Sequence, residues 1–236
     1  MPPVPSSAPS RAPHTAPPAR HHLPAAPPRY ALGIGLGLLL VSLLVAVLLS
    51  LGGRPFFQGL DDRWAASVHG PADGIVLVLD RLGGPIGLVL PLGLIGCLCV
   101  YGRWRSGLFA FTVAVGANLL AVLPLKALAD RPRPPYPAVL VNDGSYPSGQ
   151  VFSAVALVFV VAVLAFPPRA RLWWWPVGGA YVLAMMASRT WLHAQWLTDT
   201  IAGLLLGLGV CLVLWRAFAP MLEEEARRMA SGTLWL

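Results

Sequence analysis

Three clusters of polar residues carry the side chains that could grip an anion. The first holds Lys126, Asp130, Arg131, Arg133 and Pro134; the second is Tyr146-Pro147-Ser148-Gly149-Gln150; the third is Ser188-Arg189, followed by His193, Gln195 and Asp199. Arginine offers a planar fork that matches phosphate oxygens two at a time, and lysine adds a compact charge. Pro147-Ser148-Gly149 stands immediately before an apolar run and reads as the start of a helix. There the backbone N–H groups and the positive end of the helix dipole face outward. These residue types together predict phosphate binding by Lys126, Arg133, Ser148, Gly149 and Arg189.

The elements that position them are membrane spans. Of 236 residues, 56% are hydrophobic and 11% charged, and the mean hydropathy is +0.67, a composition that disfavours a water-soluble core. Six runs between charges and turn residues approach the roughly 20 apolar residues a span needs: Tyr30 to Gly52, Leu82 to Gly102, Ser106 to Leu125, Gly149 to Phe166, Leu172 to Ser188 and Thr200 to Trp215. The expected fold is therefore all-α, a six-transmembrane helix bundle over residues 30–218. A disordered Pro- and Ala-rich tail precedes it over 1–29, and a C-terminal tail follows over 219–236. Between the first two spans, Arg54 to Arg81 reads as a surface segment with an amphipathic helix.

Charge sets the topology. Arg11, Arg20, Arg29, Arg103, Arg105, Arg169, Arg171, Arg216, Arg227 and Arg228 gather on one side, ten of the 17 basic residues. The positive-inside rule then makes that side cytoplasmic, with both termini, and puts all three polar clusters on the opposite face. The +7 balance is thus topological, and no nucleic-acid partner is expected. Cys97, Cys99 and Cys211 lie in apolar runs and read as small fillers. Nothing in the residues indicates a metal, a cofactor or an oligomeric state.

The three clusters resemble the motifs of the type 2 phosphatidic acid phosphatase and vanadium haloperoxidase superfamily, in its membrane lipid phosphatase branch. That pattern is Lys, six residues, Arg-Pro; Pro-Ser-Gly-His; and Ser-Arg, five residues, His, three residues, Asp. Lys126, Arg133, Pro134, Pro147, Ser148, Gly149, Ser188, Arg189 and Asp199 match it, whereas Gln150 and Gln195 stand where the family keeps histidines. The resemblance implies a lipid phosphate or polyprenyl phosphate ligand in the cell membrane. It also implies that position 195 holds the nucleophile, position 150 the acid, and Asp199 the group that orients position 195. A carboxamide neither gives up a proton near neutral pH nor attacks phosphorus, so Gln150 and Gln195 leave a site expected to bind without ordinary turnover. Two alternatives remain: an active phosphatase acting on a lipid phosphate or polyprenyl pyrophosphate through His193 or water, and a multi-span structural or transport protein.

Other polar residues have plainer expectations. Arg54, Arg103, Arg105, Arg169, Arg171 and Arg216 would snorkel to an interface. Arg131 would serve a phosphate oxygen or pair with Asp130, and Asn118 would hydrogen-bond a neighbouring helix. His69 reads as a surface residue, and Glu223 to Glu225 with Arg227 and Arg228 as a solvated terminal helix.

Overall fold

The computed structural model describes residues 26–231 except 69, 73 and 143, so His69 and most of the N-terminal tail lie outside the described residues. All regular structure among the described residues is helical. In chain order these are α1 Ala31–Ser50, α2 Gln58–Ser67, α3 Gly74–Gly83, α4 Pro85–Val100, α5 Trp104–Phe111, α6 Leu123–Ala129, α7 Gly149–Ala165, α8 Pro168–Trp191 and α9 Leu197–Ala230. Two π-helical stretches, Thr112–Gly116 and Asn118–Val122, join α5 to α6 into one unit.

Helical units stand at the six predicted positions. Three of them are long and apolar enough to cross a membrane: α1, the 26-residue unit Trp104–Ala129, and α9. A fourth results if α3 and α4, bent by 51° at their junction, count as one. Leu36, Leu40, Leu44 and Leu120 are exposed on the outside of the bundle, an apolar surface suited to lipid rather than water. This is a membrane protein.

The segment Arg54 to Arg81 departs from its expected role as a surface strip. Asp61 on α2 is completely buried, and α3 packs against α8 before bending into α4. Two charge readings also change. Arg171 does not snorkel: its Nε donates to the carbonyls of Ala162 at 2.8 Å and Phe166 at 3.1 Å, and its Nη2 to Val163 at 3.0 Å. It thereby satisfies the orphan carbonyls at the C-terminus of α7, where a cation also complements the helix dipole. Glu225 is not solvated either. Its buried carboxylate accepts from the backbone N–H of Arg105 at 2.9 Å and of Ser106 at 3.2 Å, capping the N-terminus of α5. Glu224 behaves as read, pairing on the surface with Arg227 and Arg228.

The central packing axis is α9, which lies against α1 on one side and α7 on the other. Glycines allow the close approach: a Cβ at Gly35 would lie 2.9 Å from the Gly209 carbonyl oxygen, and one at Gly203 would lie 2.5 Å from the Ser148 carbonyl oxygen. The second contact fixes the loop before α7. Gly203→Ala is expected to cost about 1–3 kcal/mol through overpacking against backbone that cannot yield, measurable as a lowered midpoint of thermal unfolding in detergent.

Candidate functional site

All three polar clusters meet at one end of the bundle. α7 begins there because Ser148 caps it, its Oγ accepting from the Val151 N–H at 3.3 Å. α9 begins there because Asp199, in its first turn, accepts from the Trp196 N–H at 3.1 Å. Between them Tyr146, fully buried, donates its hydroxyl to the Ser42 carbonyl of α1 at 2.7 Å and pins the intervening loop. Burial, reinforced by nearby Asp199, pushes this phenol well above its ordinary pKa, so it remains a donor.

Lys126, Arg133, Gly149, Gln150, Arg189 and Gln195 line one cavity of about 480 Å³. No described acidic side chain lines it. Asp80 forms an ion pair with Nη1 of Arg189. The cavity changes character along its length. Below the cations its walls are Leu88, Pro91, Val115, Leu119 and Leu123, and Leu88, Leu119 and Leu123 are also exposed on the bundle's flank. A charged head therefore continues into an apolar groove open toward the bilayer.

The side chains are arranged differently from the expectation in four respects. Ser148 is fully buried behind the cavity: its hydroxyl donates to Gln195 Oε1, and its N–H donates to the Asp199 carbonyl at 3.0 Å. The donors left at the head of α7 are the N–H groups of Gly149 and Gln150, which have no partner within the helix. Arg133 does not hold out an open fork. Its Nε donates to the Asn142 carbonyl at 2.7 Å, its Nη2 to Asn142 Oδ1 at 2.8 Å and Gly144 O at 3.0 Å, and its Nη1 to the Ala194 carbonyl. It clamps two motif loops together and offers the cavity its charge. Lys126 joins the same clamp through Gly144 O at 2.7 Å.

Asp199 does not orient Gln195. Its Oδ1 accepts from Arg131 Nη1 at 2.6 Å, and its Oδ2 from the Ser145 hydroxyl and the Trp196 N–H. Gln195 is held instead by the 145–148 loop, with its Nε2 donating to the Ser145 carbonyl at 3.1 Å. Arg131 neither faces the cavity nor pairs with Asp130. It bridges buried Asp199 to buried Asp61 at 2.7 Å and lies between the rings of Phe57 and Trp196, 5.4 and 5.5 Å from their centroids.

His193 sits in the turn after α8 in a left-handed conformation, φ 50°. Its ring nitrogens face the carbonyl oxygens of Ala65 at 3.0 Å and Pro135 at 3.3 Å, and it does not line the cavity. Gln150 does line it, and its Oε1 is buried with no partner among the described residues; the Nε of Arg189 is likewise buried and has none among them. An orphan acceptor and an orphan donor in one cavity wall are the polar groups a ligand would satisfy. A side chain at Gly83 would strike the Gln150 amide, so the bend between α3 and α4 also shapes this wall.

The sequence model of the PAP2 superfamily matches residues 107–221, a stretch that includes all three clusters. Over residues 107–221 the chain is similar to the PAP2 superfamily. The fold agrees: the crystal structure of a transmembrane PAP2-type phosphatidylglycerolphosphate phosphatase from Bacillus subtilis superposes with a TM-score of 0.64. That alignment has 22% identity and covers 81% of this chain and 96% of the other. No curated protein sequence matches the chain. Asn142, Asp80, Asp61 and Ser145 contact residues of the three clusters although no sequence pattern pointed to them. Asp80 was legible only as one charge in a mixed segment, and Asn142 as one polar residue in a loop.

Proposed function

We propose that this chain binds the phosphate of a membrane lipid in the cavity between Lys126, Arg133, Gly149 and Arg189, and that it does not transfer the phosphoryl group. The single observation that carries the proposal is the cavity itself: a head lined by Lys126, Arg133 and Arg189, continuous with an apolar groove that opens on the bundle's flank. A phosphate attached to hydrocarbon fits both halves, and a soluble anion fits only one. Absence of turnover follows from Gln150 and Gln195, since an amide supplies neither the acid nor the nucleophile. The fixing of Gln195 by Ser145 and Ser148 supports a holding role for that amide.

The charge distribution supports a site on the non-cytoplasmic face of the cell membrane, with both termini cytoplasmic. The role is then binding or presentation of a phosphate lipid. Titration of the purified chain in detergent with a short-chain phosphatidic acid should give saturable binding, and Lys126→Ala should weaken it about tenfold or more, the scale of one charge-assisted contact. Inorganic phosphate should compete only at far higher concentration, because it leaves the groove unfilled. Equal binding by Lys126→Ala and the unmodified chain would remove the proposal's basis.

A further inference from the structure

The proposed function leaves open which phosphate lipid is held, and one pair of side chains in the groove bears on that question. Asn118, at the start of the second π-helical stretch, donates from Nδ2 to Ser153 Oγ of α7 at 2.9 Å. Both residues line the cavity and both are half-buried. A polar pair here could simply join two helices in lipid. Its placement and its unused donors point further.

Ser153 follows Gln150 by three residues on the same face of α7, so it lies one turn, about 4.5 Å, deeper than the phosphate level. The surrounding walls at that depth are apolar: Val115, Leu119 and Val122. Serine in a span ordinarily returns its proton to the carbonyl four residues back, as Ser42 does to Leu38 at 3.0 Å. Ser153 makes no such bond among the described residues, having turned to Asn118 instead. The count of donors does not depend on how the amide is oriented. If Nδ2 donates to Ser153, one amide hydrogen and the hydroxyl hydrogen remain; if the amide is reversed and the hydroxyl donates to it, two amide hydrogens remain. Two donors thus remain on side chains that line a groove whose walls at this depth are otherwise apolar.

We infer that Asn118 and Ser153 read an acyl ester carbonyl, so that the site selects a diacylglycerol phosphate over a polyprenyl phosphate. In a diacylglycerol phosphate the ester carbonyls lie about five bonds from phosphorus, on the order of one helical turn, and they are acceptors only. A polyprenyl chain presents no acceptor at that depth and would strand both donors against hydrocarbon. A site built to hydrogen-bond a ligand group discriminates against the analogue lacking it because its own polar groups are left unpaired.

This inference rests on the phosphate-lipid reading, and the experiment separates the two. The full chain in detergent is titrated with dioctanoylglycerol phosphate, with its di-O-octyl ether analogue, which differs only in lacking the carbonyls, and with geranylgeranyl phosphate. The ester should bind about tenfold tighter than the ether or the isoprenoid. In Asn118→Leu/Ser153→Ala the ester should fall to the affinity of the ether, with the ether unchanged. Equal binding of ester and ether by the unmodified chain overturns the inference while leaving the phosphate site standing, as does an ester preference that survives in the double variant. Binding of none of the three lipids overturns the phosphate-lipid reading and this inference with it.

Discussion

Arg131→Ala should destabilise the chain by about 3–5 kcal/mol, the scale set by breaking a buried ion pair from one side. The guanidinium is nearly inaccessible at 3% side-chain exposure, and the two carboxylates it joins, on Asp61 and Asp199, are at 0%. Removing it leaves two uncompensated charges away from water and also opens the space between Phe57 and Trp196. The Thr198 hydroxyl and the Ser145 hydroxyl would remain as donors to the carboxylates, but neutral donors offset only part of a buried charge. Thermal unfolding in detergent should therefore show a large drop for Arg131→Ala and partial recovery when Asp61→Asn is added, since the second change removes one of the stranded charges. An Arg131→Ala loss below about 1 kcal/mol would show that the network is solvated. By contrast, Arg54→Ala removes an ion pair whose arginine is 76% exposed, and it should be nearly silent.

Hydrolysis of lipid phosphates should be undetectable above the protein-free rate, and His193→Ala should leave lipid binding unchanged. General acid catalysis alone is worth about 10² to 10⁴ in rate, and a missing nucleophile removes the covalent path as well. Three groups would have to act in place of the histidines, and the geometry withholds each. The Gln150 amide faces the cavity but has no transferable proton; Asp199, a potential base for water, is fully buried and already accepts from Arg131, Ser145 and Trp196. His193 has both ring nitrogens against backbone carbonyls outside the cavity. Phosphate release that disappears in His193→Ala would establish the active alternative.

The route from sequence to site was legible where one rule determined the outcome. Span length and alternating direction bring the ends of α6, α7, α8 and α9 together, so Lys126, Arg133, Ser148, Gly149 and Arg189 were expected to converge; all but the buried Ser148 line one cavity. Partner choice was not legible, because it depends on burial that composition does not encode. Asp61 and Asp62 are adjacent acids on a short polar helix, yet one is buried against Arg131 and the other pairs with exposed Arg54. Likewise Asp199 lies four residues after Gln195, the spacing of neighbours on a helix. Gln195 precedes α9, however, and the first-turn carboxylate of Asp199 instead accepts from Arg131, Ser145 and the Trp196 N–H. Arg171 and Glu225 follow the same logic: each is drawn inward by a helix end whose unsatisfied backbone groups were invisible until the ends were placed. Arg133 and Arg189 both line the cavity, and part of their hydrogen-bonding capacity goes to loop carbonyls and to Asp80, which no sequence pattern indicated.

The most direct test of a site that holds a lipid phosphate without cleaving it reads binding and chemistry in the same sample. Purified protein is titrated calorimetrically with dioctanoylglycerol phosphate, and inorganic phosphate is assayed in the cell at the end. The expected result is saturable heat, weakened about tenfold or more in Lys126→Ala, with no phosphate released by either protein. Release of phosphate by the unmodified chain, or heat identical in the two proteins, would contradict the account.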